Sequence, residues 1–373
     1  MKPKVLLISS VHPSTDPRIV YKIAPALAVQ YAVYCMLPLA QQKMEKDEIK
    51  MIPIPAHESL LARILLVHPI ILWKSFRVKP DLIHIFVPEL MPIAFILKYF
   101  GVKVIYEVQE NLYKKFKIKK KNNALLFQCL FRFFDRWAQR HFHFIFTEQS
   151  YLSQYRNVNQ VWEIIYNYCS LTFIDQNKNE QKSDCTCPVF FYSGVISLER
   201  GLDTLIGALN IFKSVHDQFH VHLFGKIRLD QKELESIAGY SQVAQHLTFY
   251  GYTDYKVVFA NTSHALAGIA LLKPVGDYVE SYPTKLFEYM GLKLPVITSN
   301  FPLYKDVVES ADCGYCINPY NTNQLAEVLL HITANPIKSI QMGQNGREAV
   351  QKKYNWKTEE NKLLSFYTAV LNR

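Results

Sequence analysis

Glycine is almost missing from the first half of this chain. Of 13 glycines in 373 residues, only Gly101 lies before residue 170. A phosphate cradle needs close backbone approach, which usually means glycine. The first strand-to-helix turn reads Ser9-Ser10-Val11-His12-Pro13-Ser14-Thr15-Asp16-Pro17-Arg18, with no G-x-G-x-x-G. A nucleotide site is therefore expected in the second half. No apolar run reaches the roughly 20 residues that span a bilayer. The longest, Ser59 to Trp73, is interrupted by Arg63, His68 and Pro69. The first run, Val5 to Ile8, is too short for a signal-peptide core and reads as a strand. Cysteine is sparse and odd in number, at seven, which fits reduced cytosolic thiols better than a disulfide framework. Cys185-x-Cys187 and Cys313-x-x-Cys316 lack zinc-ribbon spacing and read as thiols. No Walker or G-x-S-x-G motif supports an NTPase or hydrolase.

Negative charge is short in the same half. Residues 1–170 hold 23 Lys/Arg against 12 Asp/Glu, whereas residues 171–373 hold 19 against 20. A hydrophobic content of 49% and a charged content of 20% exclude a largely disordered chain.

What is present is alternation. Short β-branched or aromatic runs read as buried strands at 5–9, 32–37, 82–87, 103–108, 144–147 and 163–166, and again at 189–193, 220–224, 247–250, 265–271 and 295–298. Helical patterns separate them. The fold class expected is α/β: two doubly wound, Rossmann-like domains with parallel sheets. The domains expected are 1–168, a linker at 169–187 where polar residues cluster, and 188–355. A final helix at 356–373 is expected to cross back to the first domain.

Chemistry concentrates in residues 273–302. A turn-rich loop, Lys273 to Pro283, leads into a helix from Thr284, with Ser281 and Pro283 suited to its first turn. A helix start offers free N–H groups and a positive dipole end to a diphosphate. Lys285 adds a charge, and Glu288, one turn on, suits the cis-diol of a ribose. A core helix with solvated Glu and Lys is the competing reading.

This segment resembles the donor site of retaining glycosyltransferase family 4, of GT-B architecture. The likeness is carried by Glu280…Glu288 with seven residues between, by Ser281-Tyr282-Pro283-Thr284-Lys285-Leu286-Phe287-Glu288-Tyr289-Met290, and by Leu294-Pro295-Val296-Ile297. Tyr192-Ser193-Gly194-Val195-Ile196-Ser197-Leu198-Glu199-Arg200-Gly201 resembles the family's phosphate-contacting turn. Ser10-Val11-His12-Pro13…Asp16-Pro17-Arg18-Ile19 resembles the opening of bacterial surface-polysaccharide members. The resemblance implies two domains facing across a cleft. Its site would use Glu288 on the donor ribose, and Ser281, Tyr282, Pro283, Thr284 and Lys285 around the diphosphate. Glu280 would lie beside the transferred sugar, and Arg200 would neutralise the leaving group. Gln109 and Glu110 would also act catalytically, and His12, Asp16 and Arg18 would lie on the acceptor side. It implies no cofactor and no metal, and the sequence has no D-x-D motif near a strand end.

Three positions depart from the family pattern. Val195 stands where many members have Arg, so Lys226 or Lys285 would have to supply the second cation. Gln109 stands where a His precedes Glu, and Phe86-Val87-Pro88-Glu89 replaces a polar stretch after His84. The expected function is transfer of a hexosyl or N-acetylhexosaminyl group, with retention, from a nucleoside-diphosphate sugar, UDP before GDP. The expected acceptor is a lipid-linked glycan in capsule, lipopolysaccharide or exopolysaccharide synthesis. The alternatives are a non-catalytic nucleotide- or glycan-binding partner, and a nucleotide-sugar epimerase or phosphorylase.

Residues 111–121, NLYKKFKIKKK, interleave six lysines with Tyr113, Phe116 and Ile118 ahead of an apolar helix. Such clusters attract anionic lipid head groups. A solvated loop before a core helix is the plain alternative, and no nucleic-acid module accompanies the charge. The expected location is cytoplasmic, peripheral at the inner face of the membrane.

Overall fold

Parallel strands separated by helical crossovers build two sheets. The structure is a computed structural model that describes residues 2–40, 49–115, 125–179 and 187–372. It divides into one unit made of Met1–Asn167 with Trp356–Arg373, and a second made of Tyr168–Asn355.

The first unit holds β1 (Lys4–Ile8), β2 (Ala32–Pro38), β3 (Ile49–Ile54), β4 (Leu82–Ile85), β5 (Lys103–Val108), β6 (His143–Phe146) and β7 (Trp162–Ile164), in the order β3-β2-β1-β4-β5-β6-β7. The second holds β8 (Val189–Ser193), β9 (His220–Phe224), β10 (Leu247–Gly251), β11 (Ala267–Ala270), β12 (Val296–Ser299) and β13 (Gly314–Ile317), in the order β10-β9-β8-β11-β12-β13. Every pairing is parallel. Both orders reverse direction after their first strand, at β1/β4 and β8/β11. In open α/β sheets such switch points are where ligands bind, beyond the carboxyl ends of the strands.

Helices of seven residues or more are α1 (19–28), α2 (60–78), α3 (Met91–Tyr99), α4 (Leu125–His141), α5 (Leu171–Asn177), α6 (Leu202–Lys213), α7 (Thr284–Gly291), α8 (Pro302–Val308), α9 (Thr322–Ala334), α10 (Pro336–Lys352) and α11 (Trp356–Leu371). In α1 and α2 the residues Ile19–Ile23 and Arg63–Val67 form wide π turns. Each wide turn ends two residues before a proline, Pro25 or Pro69. Proline has no N–H to give the preceding turn and crowds its carbonyl, and the wider turn accommodates it without ending the helix.

The first sheet is covered on both faces. Val5, Leu7, Val33 and Cys35 pack with α1 and with Trp356, Leu363, Phe366, Tyr367 and Val370 of α11. Leu6, Ile8, Ile83 and Val104 pack with α2, α3 and α4. The stretch 169–187, expected as a linker, contains α5, whose Ser170 hydroxyl caps its start and whose Ile174 is buried in the second unit. Residues 180–186, including Cys185, lie outside the described residues, as do 116–121 of the lysine run. Among the described residues no helix is long and apolar enough to cross a membrane, and no His/Cys/Asp/Glu group is placed to hold a metal.

Candidate functional site

In the second unit the site grows from the end of β8. Gly194 follows the strand with φ 115°, and Gly225 follows β9 with φ 140°. A Cβ on Gly225 would lie 1.9 Å from the Gly194 carbonyl oxygen, so the two turns pack backbone to backbone. The chain then runs through Ser197–Arg200 to Gly201, whose left-handed conformation opens α6. That turn brings Arg200 back beside Gly194, against which a Cβ would meet its Nη1 at 3.5 Å. The guanidinium lies 5.5 Å from the Tyr278 ring centre.

Helix α7 is fixed to the same strand end by Tyr289. Its hydroxyl accepts from the Ser193 N–H at 2.9 Å and donates to the Ile269 carbonyl at 3.2 Å. Its ring rests on β11, where only glycine fits, because a Cβ on Gly268 would meet the ring at 2.3 Å. This anchoring buries Lys285 and Glu288, each 4% exposed. The Lys285 Nζ lies 3.9 Å from the centre of the Tyr192 ring and has no hydrogen-bond partner. Burial and the neighbouring Arg200 charge push its pKa well below the usual lysine range, with Glu288 pulling the other way. Lys226, the other cation considered in place of an arginine at Val195, is exposed.

The loop ahead of α7 is held at several points. The Lys273 ammonium bonds both carboxylate oxygens of Asp203 on α6, and its N–H donates to the Glu199 carbonyl. The Ser281 hydroxyl donates to the Asp277 carbonyl, and the Tyr304 hydroxyl donates to the Ser281 carbonyl. Tyr282 packs edge-on to Phe287. Pro283, in extended conformation, precedes the first residue of α7, Thr284, and both are half-buried. Glu280 stands exposed at the end of this loop. The structure thus joins Arg200, Lys285 and Glu288 at the α7 start. Tyr192, the first residue of the phosphate-turn likeness, lies against Lys285, and Tyr278, which carries no sequence signal of its own, lies against Arg200.

The first unit places its expected residues at the carboxyl ends of β1, β4 and β5. Ser9 Oγ accepts from the N–H groups of Val11 and His12 and pairs with His12 Nδ1 at 2.8 Å. Asp16 accepts from the N–H groups of Arg18 and Ile19, so it caps α1. Arg18, expected on the acceptor side, is instead 3% exposed and locked inward. It makes a two-point bond to Glu107 at 2.8 and 3.1 Å and donates to the carbonyls of Ile165 and Tyr166. Gln109 is also turned inward, donating to Glu107 at 2.6 Å. Glu110 is exposed. The fully buried Glu107 is held below the usual carboxylate range: burial raises it, and the combined pull of Arg18, His84 and Gln109 outweighs that. His84 pairs through Nδ1 with the Tyr367 hydroxyl at 2.7 Å, and burial lowers it to about 4. One cluster escaped sequence reasoning: Glu89 is gripped by Arg63 at 2.7 and 2.8 Å and receives the Ser10 hydroxyl.

Residues 173–349 match the family model described as Glycosyl transferases group 1. The second unit is a glycosyl transferases group 1 domain. A phosphatidyl-myo-inositol mannosyltransferase of Mycobacterium leprae (strain TN) is 24% identical to the chain over 173 residues, 46% of this chain and 43% of that protein. The match thus spans less than half the length of that curated relative. Sucrose-phosphate synthase from Thermosynechococcus elongatus superposes on 99% of both chains, with a TM-score of 0.76 and 17% identity. The Anabaena protein HepE in complex with UDP-glucose superposes on 98% of this chain and 99% of its own, with a TM-score of 0.71 and 13% identity. These likenesses show the fold: two Rossmann-like units of the GT-B type, the group 1 domain being the second.

Proposed function

We propose that the chain is a retaining glycosyltransferase. It moves a hexosyl or N-acetylhexosaminyl group from a nucleoside-diphosphate sugar, UDP in preference to GDP, to a lipid-linked glycan in bacterial surface-polysaccharide synthesis. The observation that carries this reading is the meeting of Arg200 and Lys285 at the start of α7, one helical turn from the Glu288 carboxylate. The Arg200 guanidinium and a buried amine that would regain its proton beside an anion favour a doubly charged ligand. Breaking the sugar–phosphate bond builds negative charge on the nucleotide, and fixed cations and helix N–H groups lower that barrier. Glu288, one turn along the helix, is assigned to the ribose of such a donor, and the exposed Glu280 to the sugar. Support for UDP comes from the UDP-glucose bound to the structurally similar HepE.

Calorimetric titration with UDP, GDP and ADP, followed by NMR of the matching nucleotide sugar, tests the reading. We expect one nucleotide to bind and slow donor hydrolysis to release the retained anomer. Glu288→Ala should weaken nucleotide binding by about 10- to 100-fold, the worth of one hydrogen bond to a charged group. Unchanged affinity in that variant would refute the ribose assignment. A non-catalytic nucleotide-binding partner is the second reading, favoured by Val195 and by the Gln109 amide being spent on Glu107. Binding without any turnover across donors and acceptors would select it.

A further inference from the structure

Exposed apolar side chains are unevenly spread over the described residues. The 46 residues of α2, of α3 with its final Phe100, and of α4 carry 13 of the 27 large apolar side chains that are exposed. These helices lie side by side over one face of the first sheet, sharing the core formed by Val67, Ile71, Met91, Leu97, Phe131 and Ala138. Their outer sides are joined by ring contacts. Phe76 of α2 meets Phe100 edge-on at 5.1 Å, and Phe95 of α3 stacks on Trp137 of α4 at 3.8 Å. Leu65 is 70% exposed and Tyr99 88%.

The charge on this face has one sign. Across α2, α3 and α4 the only acid is Asp135, and it is fully buried. The cations Arg77, Arg132, Arg136 and Arg140 are exposed, and Lys98 is half-buried. Arg77 lies over the Trp73 ring at 4.2 Å, with its charge kept at the rim of the apolar surface. Apolar side chains exposed in this number on neighbouring helices, several of them in ring contact, mark an interaction surface. A protein partner would ordinarily be met by charges of both signs. Aromatic rings among basic residues, with no carboxylate facing out, match the boundary between acyl chains and anionic head groups.

We propose that the outer face of α2, α3 and α4 docks on an anionic lipid bilayer. The inference deepens the reading of a lipid-linked acceptor by naming the surface that meets the membrane. It differs from a contact through the lysine run alone, because Leu65 and Tyr99 lie outside that run. Vesicle binding needs no donor sugar, so its failure and that of the transferase reading are separable.

The experiment is co-sedimentation of the full chain with vesicles of phosphatidylcholine, alone or mixed with phosphatidylglycerol, at low and high salt. Wild type should bind the mixed vesicles and release at high salt. The double variant Leu65→Glu/Tyr99→Glu should lose roughly tenfold or more in binding, with unchanged circular dichroism and unchanged nucleotide affinity. Wild type ignoring mixed vesicles at low salt overturns the proposal. So does undiminished binding by the double variant, and so does concentration-dependent self-association that this variant abolishes. Quenching of tryptophan fluorescence by brominated lipid gives a readout that needs no folded double variant. Quenching that falls in Trp73→Phe is expected, and no quenching in wild type overturns the docking face.

Discussion

Lys285 is placed at a cost to the fold. A buried amine without a hydrogen-bond partner, beside the Arg200 guanidinium, destabilises the fold by about 1–3 kcal/mol, partly offset by the Tyr192 ring. Lys285→Met should therefore raise the thermal midpoint, at about 2–4 °C per kcal/mol for a domain of this size, while donor turnover falls about 10²-fold. A midpoint that falls would refute this account. The lowered pKa has a further consequence for binding. Between the depressed value and the ordinary lysine value of about 10.5 the amine is neutral in the folded protein and charged in the unfolded chain. Folding stability then rises with pH across that window, and a diphosphate bound beside the amine would favour the return of its proton. Titrations at a pH inside that window, in buffers of different ionisation enthalpy, should show proton uptake on nucleotide binding, and Lys285→Met should abolish it. Arg18 illustrates the opposite case. Its charge is fully spent on Glu107 and two carbonyls, so it orders the first unit rather than meeting a ligand.

At the level of elements, α7 is held to β8 and β11 by one hydroxyl. Tyr289→Phe would leave the Ser193 N–H and the Ile269 carbonyl unsatisfied in a buried site, costing about 1–3 kcal/mol. Urea unfolding should show that loss, and nucleotide affinity should fall with it because the α7 start is no longer fixed against Gly194. An unchanged midpoint would show that the anchoring lies elsewhere. Most strands and helices were legible from sequence because buried parallel strands are continuous apolar runs. The strands missed are β3 and β13, both at sheet edges. β3 holds Pro53, tolerated only because an edge strand needs no donor there, and β13 begins with Gly314 and is mostly half-buried. Helix α5 was hidden by the polar run that follows it. The α7 residues were legible because helix-start chemistry and the E-x7-E spacing lie within one short segment. Tyr278 and the Glu89–Arg63 grip were not, since they join positions far apart in sequence. Arg18 was misplaced for the same reason: its partner, Glu107, lies 89 residues away.

For the whole molecule, stability should depend on mild acid through His84. Its folded pKa of about 4 lies below the ordinary value near 6.5, so the unfolded chain binds the proton first. The stabilisation from a neutral His84 is complete above about 6.5 and is lost as pH falls towards 4, amounting to roughly 3 kcal/mol. Glu107, also lowered, adds a loss that begins only below the ordinary carboxylate range. Unfolding free energy measured from pH 7 to pH 4 should decline, and His84→Gln should flatten the decline. An equal slope in both proteins would remove His84 as the cause. The partner of His84, Tyr367, belongs to α11, which follows the whole of the second unit in sequence yet completes the core of the first. A nascent chain therefore cannot finish its first unit in the order it is made. Trp356, Phe366 and Tyr367 are made after all of the second unit, so the early strands must wait with one face only partly covered until the last helix arrives.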